Sequence, residues 1–214
     1  VLSIGTTADV ATSTGFAVYN RDIEILAGDP VKVGGIDFGA VTIRDIVVVG
    51  DYAYIGGHAP TYLAVINISD PLNPVLFSST SVGAIVENID IASGYLYAVT
   101  NNNNEGFQIY DVSNPSNLIK VGAVAVADAG FSQAKDIVVS GNYAYVVSDA
   151  TGDDLEIFDI SDPTNPFKVG GAAADDVANA VTIVGNYVYV VSNATDDDLE
   201  IFDISDPTNP VKVG

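Results

Sequence analysis

The sequence contains no cysteine, no methionine and no tryptophan, a single histidine, and seven basic residues against 28 acidic ones. Without cysteine there is no disulfide and no thiolate nucleophile or ligand, and the redox compartment is left open. One histidine, His58 in GGHAPTY, excludes a multi-histidine metal centre, and no G-x-S-x-G elbow accompanies it to suggest a serine hydrolase. We expect His58 in a surface loop after a second strand. No apolar run reaches membrane-spanning length, so a soluble fold without membrane insertion is expected. The opening residues, VLSIGTTADV, lack the basic and apolar segments of a signal peptide, and a start at valine fits a processed protein or an excised segment. The formal net charge of −21 repels nucleic acid and anionic membranes, serves solubility, and would attract cations or a basic partner.

What is present is apolar, β-branched and periodic. The 214 residues suffice for one domain with a substantial core. The octet DISDPTNP occurs at 159–166 and again at 203–210, with DVSNPSNL at 111–118 and NISDPLNP at 67–74 as variants. Their first residues, Asn67, Asp111, Asp159 and Asp203, are separated by 44, 48 and 44 positions. The tyrosine pairs Tyr52/Tyr54, Tyr95/Tyr97, Tyr143/Tyr145 and Tyr187/Tyr189 keep the same beat. A period of this length is the mark of a repeat architecture.

Each repeat reads in one order. KDIVVS (135–140) is a short β-branched strand, GN (141–142) is a two-residue turn in which both residues tolerate positive φ, and YAYVVS (143–148) is the returning strand. LEIFDI (155–160) supplies a third strand and FKVG (167–170) a fourth. Tyr143, Tyr145 and Val147 share one face and Ala144 and Val146 the other; both faces are apolar, so both are covered. No segment carries a helical period. Four antiparallel strands per repeat, sheets covered on both faces and a faithfully repeated corner predict an all-β fold, a β-propeller of about five blades. The units run approximately 1–34, 35–78, 79–122, 123–170 and 171–214 within a single domain over 1–214. The first lacks a visible inner strand and is read as incomplete. Either the sequence is a window on a longer array or a neighbouring molecule supplies the strand, which would build an oligomer or filament.

The octet reads as a corner. Asp159 closes an Asx-type turn, Pro163 presets φ after Asp162, and Pro166 forces Asn165 towards extended geometry. Lys32, Lys120, Lys168 and Lys212 recur in the fourth strand, where an exposed edge gains from charge that blocks edge-to-edge pairing.

DIVVSGNYAYVVS, LEIFDISDPTNP and the trailing KVG resemble the LVIVD-repeat β-propellers through nearly the whole chain, most strongly over 136–214 and least over 1–35. The resemblance implies the fold and an extracellular or cell-surface location. It brings no catalytic residues, because the molecular function of that family is mostly undefined.

Chemistry is sparse. The approaches to the inner strands carry Arg44, Asp45, Glu87, Asn88, Lys135, Asp136 and Asp176, a polar set that could bind or process a glycan at a central mouth. Asp45 and Asp136 occupy matched positions, with Asn88 one residue out of step, which favours a scaffold role. Asp153 and Asp154 in SDATGDDLE, and Asp197 and Asp198 in SNATDDDLE, are hard oxygen ligands of the kind Ca²⁺ takes, without the order of an EF-hand loop. Asn193 and Asn67 stand in N-glycosylation sequons, Asn193 in the more exposed setting. No catalytic residue is identified and no cofactor is required. The expected function is a non-enzymatic extracellular or surface module, structural or interacting, partnered by copies of itself or by another surface protein or glycan. A glycan-binding or glycan-active propeller is the alternative.

Overall fold

The computed structural model describes residues 2–4, 7–12, 15–20, 32–39, 41–58, 62–102, 104–126, 134–149, 152–193 and 198–214, with the side chains of 2–16, 18–20, 58 and 62 outside that description. The fold class is the β-propeller. The described residues form five four-stranded antiparallel sheets in succession and contain no helix.

By internal packing the chain falls into two compact units. The first unit comprises Val1–Val86 with Asn114–Leu118. Its first sheet is β1 (Leu2–Ile4), β2 (Thr7–Thr12), β3 (Gly15–Asn20) and β4 (Lys32–Asp37). Its second is β5 (Thr42–Val49), β6 (Tyr52–His58), β7 (Tyr62–Asn67) and β8 (Val75–Ser81). The expectation of an incomplete first repeat is therefore corrected. Leu2–Ile4 pairs antiparallel with Thr7–Asp9 and is the inner strand. Three residues are too few to show an apolar run, and the repeat lacks the tyrosine pair that sets the phase elsewhere. Apolar packing in this unit centres on Ile55, Ala64 and Ile66, with Val33, Ile36 and Phe38 against them.

The second unit comprises Glu87–Ser113 and Ile119–Gly214. It holds β9 (Val86–Ala92), β10 (Tyr95–Thr100), β11 (Phe107–Asp111) and β12 (Ile119–Val124) as a third sheet. The fourth sheet is β13 (Ala134–Ser140), β14 (Tyr143–Ser148), β15 (Leu155–Asp159) and β16 (Phe167–Ala172). The fifth is β17 (Ala178–Val184), β18 (Tyr187–Ser192), β19 (Leu199–Asp203) and β20 (Val211–Lys212). Two-sided burial follows from the period-two pattern. Ala144, Val146 and Phe158 pack on Tyr97, Val99, Phe107 and Ile109 of the third sheet. From the other side of the same sheet, Tyr145, Val147, Leu155 and Ile157 pack on Ala178, Val181, Val188 and Phe202 of the fifth. Strand alternation thus reads as stacking order.

The inner hairpins close on glycine. Gly50, Gly141 and Gly185 take φ near +60° while the following residue stays negative, so in these turns one residue, not both, adopts the left-handed region. Ser93 and Gly94 are both positive, the pattern of a type I′ turn.

Candidate functional site

The polar residues on the inner strands are held by bulges. The pairing register slips between Ile43 and Asp45, between Ala134 and Asp136, and between Ala178 and Ala180. The extra residues are Arg44, Lys135 and Asn179, and a bulge re-aims its side chain. Lys135 Nζ lies 3.2 Å from Asp149 Oδ2, and in the next repeat Asn179 Nδ2 donates to Asn193 Oδ1 at 2.8 Å. Each pair ties the start of an inner strand to the end of its neighbour. The sequon residue Asn193 is exposed but already accepts this bond, and its own N–H donates to the Val177 carbonyl.

The carboxylates nearby bind backbone. Asp136 Oδ1 accepts from Ile137 N at 2.9 Å and Oδ2 accepts from Val181 N of the next sheet at 2.8 Å. Burial pushes this carboxyl above its ordinary range, although both N–H bonds pull against the shift. Asp90, which sequence reasoning passed over, does the same: Oδ1 accepts from Ile91 N and Oδ2 from Val139 N, each at 2.7 Å. Both are latches between consecutive inner strands. Counted from the hairpin, Asp45, Asn88 and Asp136 each stand seven residues before Tyr52, Tyr95 and Tyr143, so Asn88 is in step after all. Arg44 is exposed, whereas Asp45, Glu87 and Asn88 are half-buried on their strands. Asp176 is exposed and its Oδ1 accepts from Val177 N.

The loop carboxylates meet the repeated lysines. Lys168 Nζ lies 2.8 Å from Glu156 Oε1 and 2.9 Å from Asp153 Oδ2. Lys212 Nζ lies 3.1 Å from Glu200 Oε2 and 2.6 Å from Asp175 Oδ2. Glu156 and Glu200 are buried, each the second residue of its third strand. Where Gln108 replaces them, Lys120 pairs with Glu105 and the buried Tyr110 hydroxyl donates to Gln108 Oε1. Where Leu76 replaces the lysine, the partner position is Ala64. The lysines are exposed on outer strands, as edge protection requires, and Lys168 and Lys212 also neutralise buried glutamates. Partial burial pulls the Lys168 ammonium down, yet its bonds to Glu156 and Asp153 outweigh this and hold it above its ordinary value.

Asp154 is buried and accepts from Ala174 N at 3.0 Å; burial pushes its carboxyl up. Asp198 is exposed, and its carbonyl accepts from Ser192 N. Asp197 lies outside the described residues. Among the described residues no group of three or more acidic or histidine side chains is placed to hold a metal ion. His58 ends β6, its backbone opposite Thr42, so it is a strand residue and not a loop residue.

The corner has the expected turn chemistry. Asp159 Oδ1 accepts from Ser161 N at 2.8 Å, Asp162 Oδ1 from Thr164 N at 3.0 Å, and Asn165 N donates to the Asp162 carbonyl at 3.0 Å. Asn67 occupies the leading position, with Oδ1 accepting from Ser69 N and Oγ. The corner has a second role that sequence reasoning missed. A Cβ on Gly34 would overlap the Pro71 carbonyl oxygen, one on Gly122 that of Pro163, and one on Gly170 that of Pro207. At the matching place Ser78 Oγ donates to the Pro115 carbonyl at 2.5 Å. The fourth-strand glycine is thus a cradle for the proline carbonyl of the next corner.

Chemically, Asp90, Asp136, Asp154 and Asp176 are spent on backbone N–H groups, and Lys135, Lys168 and Lys212 on carboxylates. The described surface offers something else: Val184, Tyr187, Val191, Leu199, Val211 and Val213, all exposed on the fifth sheet and its tail.

A family model described as the LVIVD repeat matches residues 42–82, 83–126, 132–172 and 176–214. Among curated proteins none matches the chain. A functionally unknown protein from Desulfotomaculum acetoxidans DSM 771 superposes with a TM-score of 0.78 at 13% identity, covering 99% of this chain and 68% of that one. A protein from Lactobacillus plantarum gives 0.80 at 13% identity, over 94% of this chain and 64% of its own length. The computationally designed Ika8 protein gives 0.69 at 11%, over 95% of this chain and 57% of that one. The chain therefore spans 57–68% of the length of these structures. At such identities the likeness carries the fold alone.

Proposed function

Because the chain belongs to the LVIVD-repeat family, we propose that it works as a non-enzymatic structural and interaction module, placed outside the cell or on its surface. The observation that carries this reading is the commitment of Asp90 and Asp136 to backbone N–H groups of the following sheet. A backbone N–H bond on each oxygen fixes a carboxylate's orientation and takes up part of its capacity of about four lone-pair sites. Here both oxygens of each group hold the scaffold. The acidic surface supports a place in an aqueous exterior by keeping blades soluble, while the apolar fifth sheet supports protein contact.

A glycan array probed with the whole chain tests the reading. The expected result is no saturable binding. Binding that is saturable and lost in Lys135→Ala, with the circular dichroism spectrum unchanged, would replace it with a glycan-recognition function.

A further inference from the structure

We propose that a hollow between the first and second sheets binds a small organic ammonium ion, a molecule with a ring or short hydrocarbon chain and a protonated amine. The site lies wholly within the first unit and uses none of the scaffold carboxylates, so it goes beyond the interaction-module reading.

The hollow has its origin in two replacements within the repeat. In the fourth and fifth sheets a buried glutamate of the third strand meets the lysine of the fourth strand, Glu156 with Lys168 and Glu200 with Lys212. The third sheet has Gln108 and Lys120 at these places, the first bonded by the Tyr110 hydroxyl and the second paired with Glu105. The second sheet has Ala64 and Leu76. Two long, mutually neutralising side chains are thus exchanged for a methyl group and a shorter apolar chain, and Leu76 is left 49% exposed. Beside it lies a hollow of about 490 Å³. That volume falls in the range of about 300–1,000 Å³ typical of small-molecule sites. The space is particular to this repeat, because the other repeats fill the same place with an ion pair or an amide.

The lining sets the chemistry of the occupant. Its apolar part is Ile36, Phe38, Val41 and Leu76. Ile36 and Phe38 pack against the cluster that holds Ala64 and Ile66, and Leu76 and Ser79 stand opposite Ile66 and Ala64 on β7. Its polar part is Asp37 and the run Ser79–Ser81. A largely apolar wall with a few converging polar groups is the composition of a ligand site. Charge then decides the class. Asp37 is the charged group among the described lining residues, and no lysine or arginine stands with it. A carboxylate favours a cation and repels an anion. Gly39 N donates to Asp37 Oδ1 at 2.7 Å, which orients the carboxylate, and a carboxylate has acceptor capacity for further donors. An ammonium group can share its hydrogens between that carboxylate and the serine hydroxyl oxygens. The net charge of −21 raises the local concentration of cations.

Phenethylamine is the probe. Titrated into the 214-residue chain, it should move the methyl resonances of Ile36, Val41 and Leu76 saturably, while those of Val147 and Ile157 in the packing of the fourth sheet stay in place. Phenethyl alcohol keeps the ring without the charge and should bind weaker by about tenfold or more. Hydrocinnamate, with the charge reversed, should not bind. Asp37→Asn keeps an acceptor for Gly39 N and removes only the charge, so it should bring the amine down to the level of the alcohol. Ala64→Glu combined with Leu76→Lys restores the pair of the fourth and fifth sheets, fills the hollow, and should abolish binding of both probes with the circular dichroism spectrum unchanged. Equal affinity for amine, alcohol and acid would overturn the proposal. So would an Asp37→Asn chain that binds the amine as the parent does, or methyl signals that stay still up to the solubility limit of the amine. None of these outcomes bears on the glycan array, so the two readings fall separately.

Discussion

Gly170→Ala adds a single methyl group in β16, and its effect separates the cradle from ordinary strand propensity. The new carbon would overlap the Pro207 carbonyl oxygen, with the carbonyl carbon and the Thr208 backbone also within 3.2 Å. These are backbone atoms of a hydrogen-bonded corner, in which Asn209 N donates to the Asp206 carbonyl and Thr208 N to Asp206 Oδ1. They cannot swing aside as a flexible side chain would. Overpacking of this kind costs about 1–3 kcal/mol. Replacing a strand glycine by alanine returns about 0.5–1 kcal/mol through the unfolded chain. At the middle of both ranges the overlap wins, and the net loss is about 1 kcal/mol. For a chain of this size that is a fall in melting temperature of about 2–4 °C. Gly214→Ala is the internal control, because its methyl group meets only Ile201 at 3.6 Å, an ordinary contact. It should be neutral or slightly stabilising. Differential scanning calorimetry of the two variants beside the parent reads both signs. Equal melting temperatures for Gly170→Ala and Gly214→Ala would refute the cradle.

Ser78→Ala removes the hydroxyl that reaches the Pro115 carbonyl and should cost about 0.5–1.5 kcal/mol in urea unfolding. Lys168→Met leaves the Glu156 carboxylate buried without its cation. Because the lysine is partly solvated the loss should be about 1–3 kcal/mol, and adding Glu156→Gln, the arrangement found at Gln108, should restore most of it. Acid has two opposite effects. Burial raises the carboxyls of Asp136 and Asp154, so their ionised forms weaken the fold at neutral pH and protonation above the ordinary value of 3.8 relieves it. Hydroxyl bonds from Thr164 and Thr208 lower those of Asp162 and Asp206, whose contribution is present above 3.8 and is lost as pH falls below it through their folded values. The melting temperature should therefore rise from pH 7 towards 3.8 and fall beyond it, the Thr164 and Thr208 amide resonances shifting only in the second phase.

The sequence alone determined what is local. Strand alternation at Tyr143–Ser148 placed tyrosine and valine on one face and alanine and valine on the other, because side chains in a strand change sides at every residue. The turn roles of Asp159, Pro163 and Asn165 were equally legible, since an Asx turn and a proline-set φ involve residues two or three apart. The inner strand Leu2–Ile4 was not, being too short to carry a pattern of its own. The tertiary structure decided what depends on residues far apart in the chain. That Asp136 holds Val181, that Asp90 holds Val139, and that Lys168 serves Glu156 as well as an edge are facts about neighbours 12–49 positions away. So is the second use of the corner. A glycine in VKVG looks like a weak strand residue until a proline carbonyl from the next repeat is seen to need the space its missing side chain leaves. Periodicity fixes which residues are alike; only packing of one sheet against the next fixes what each copy touches.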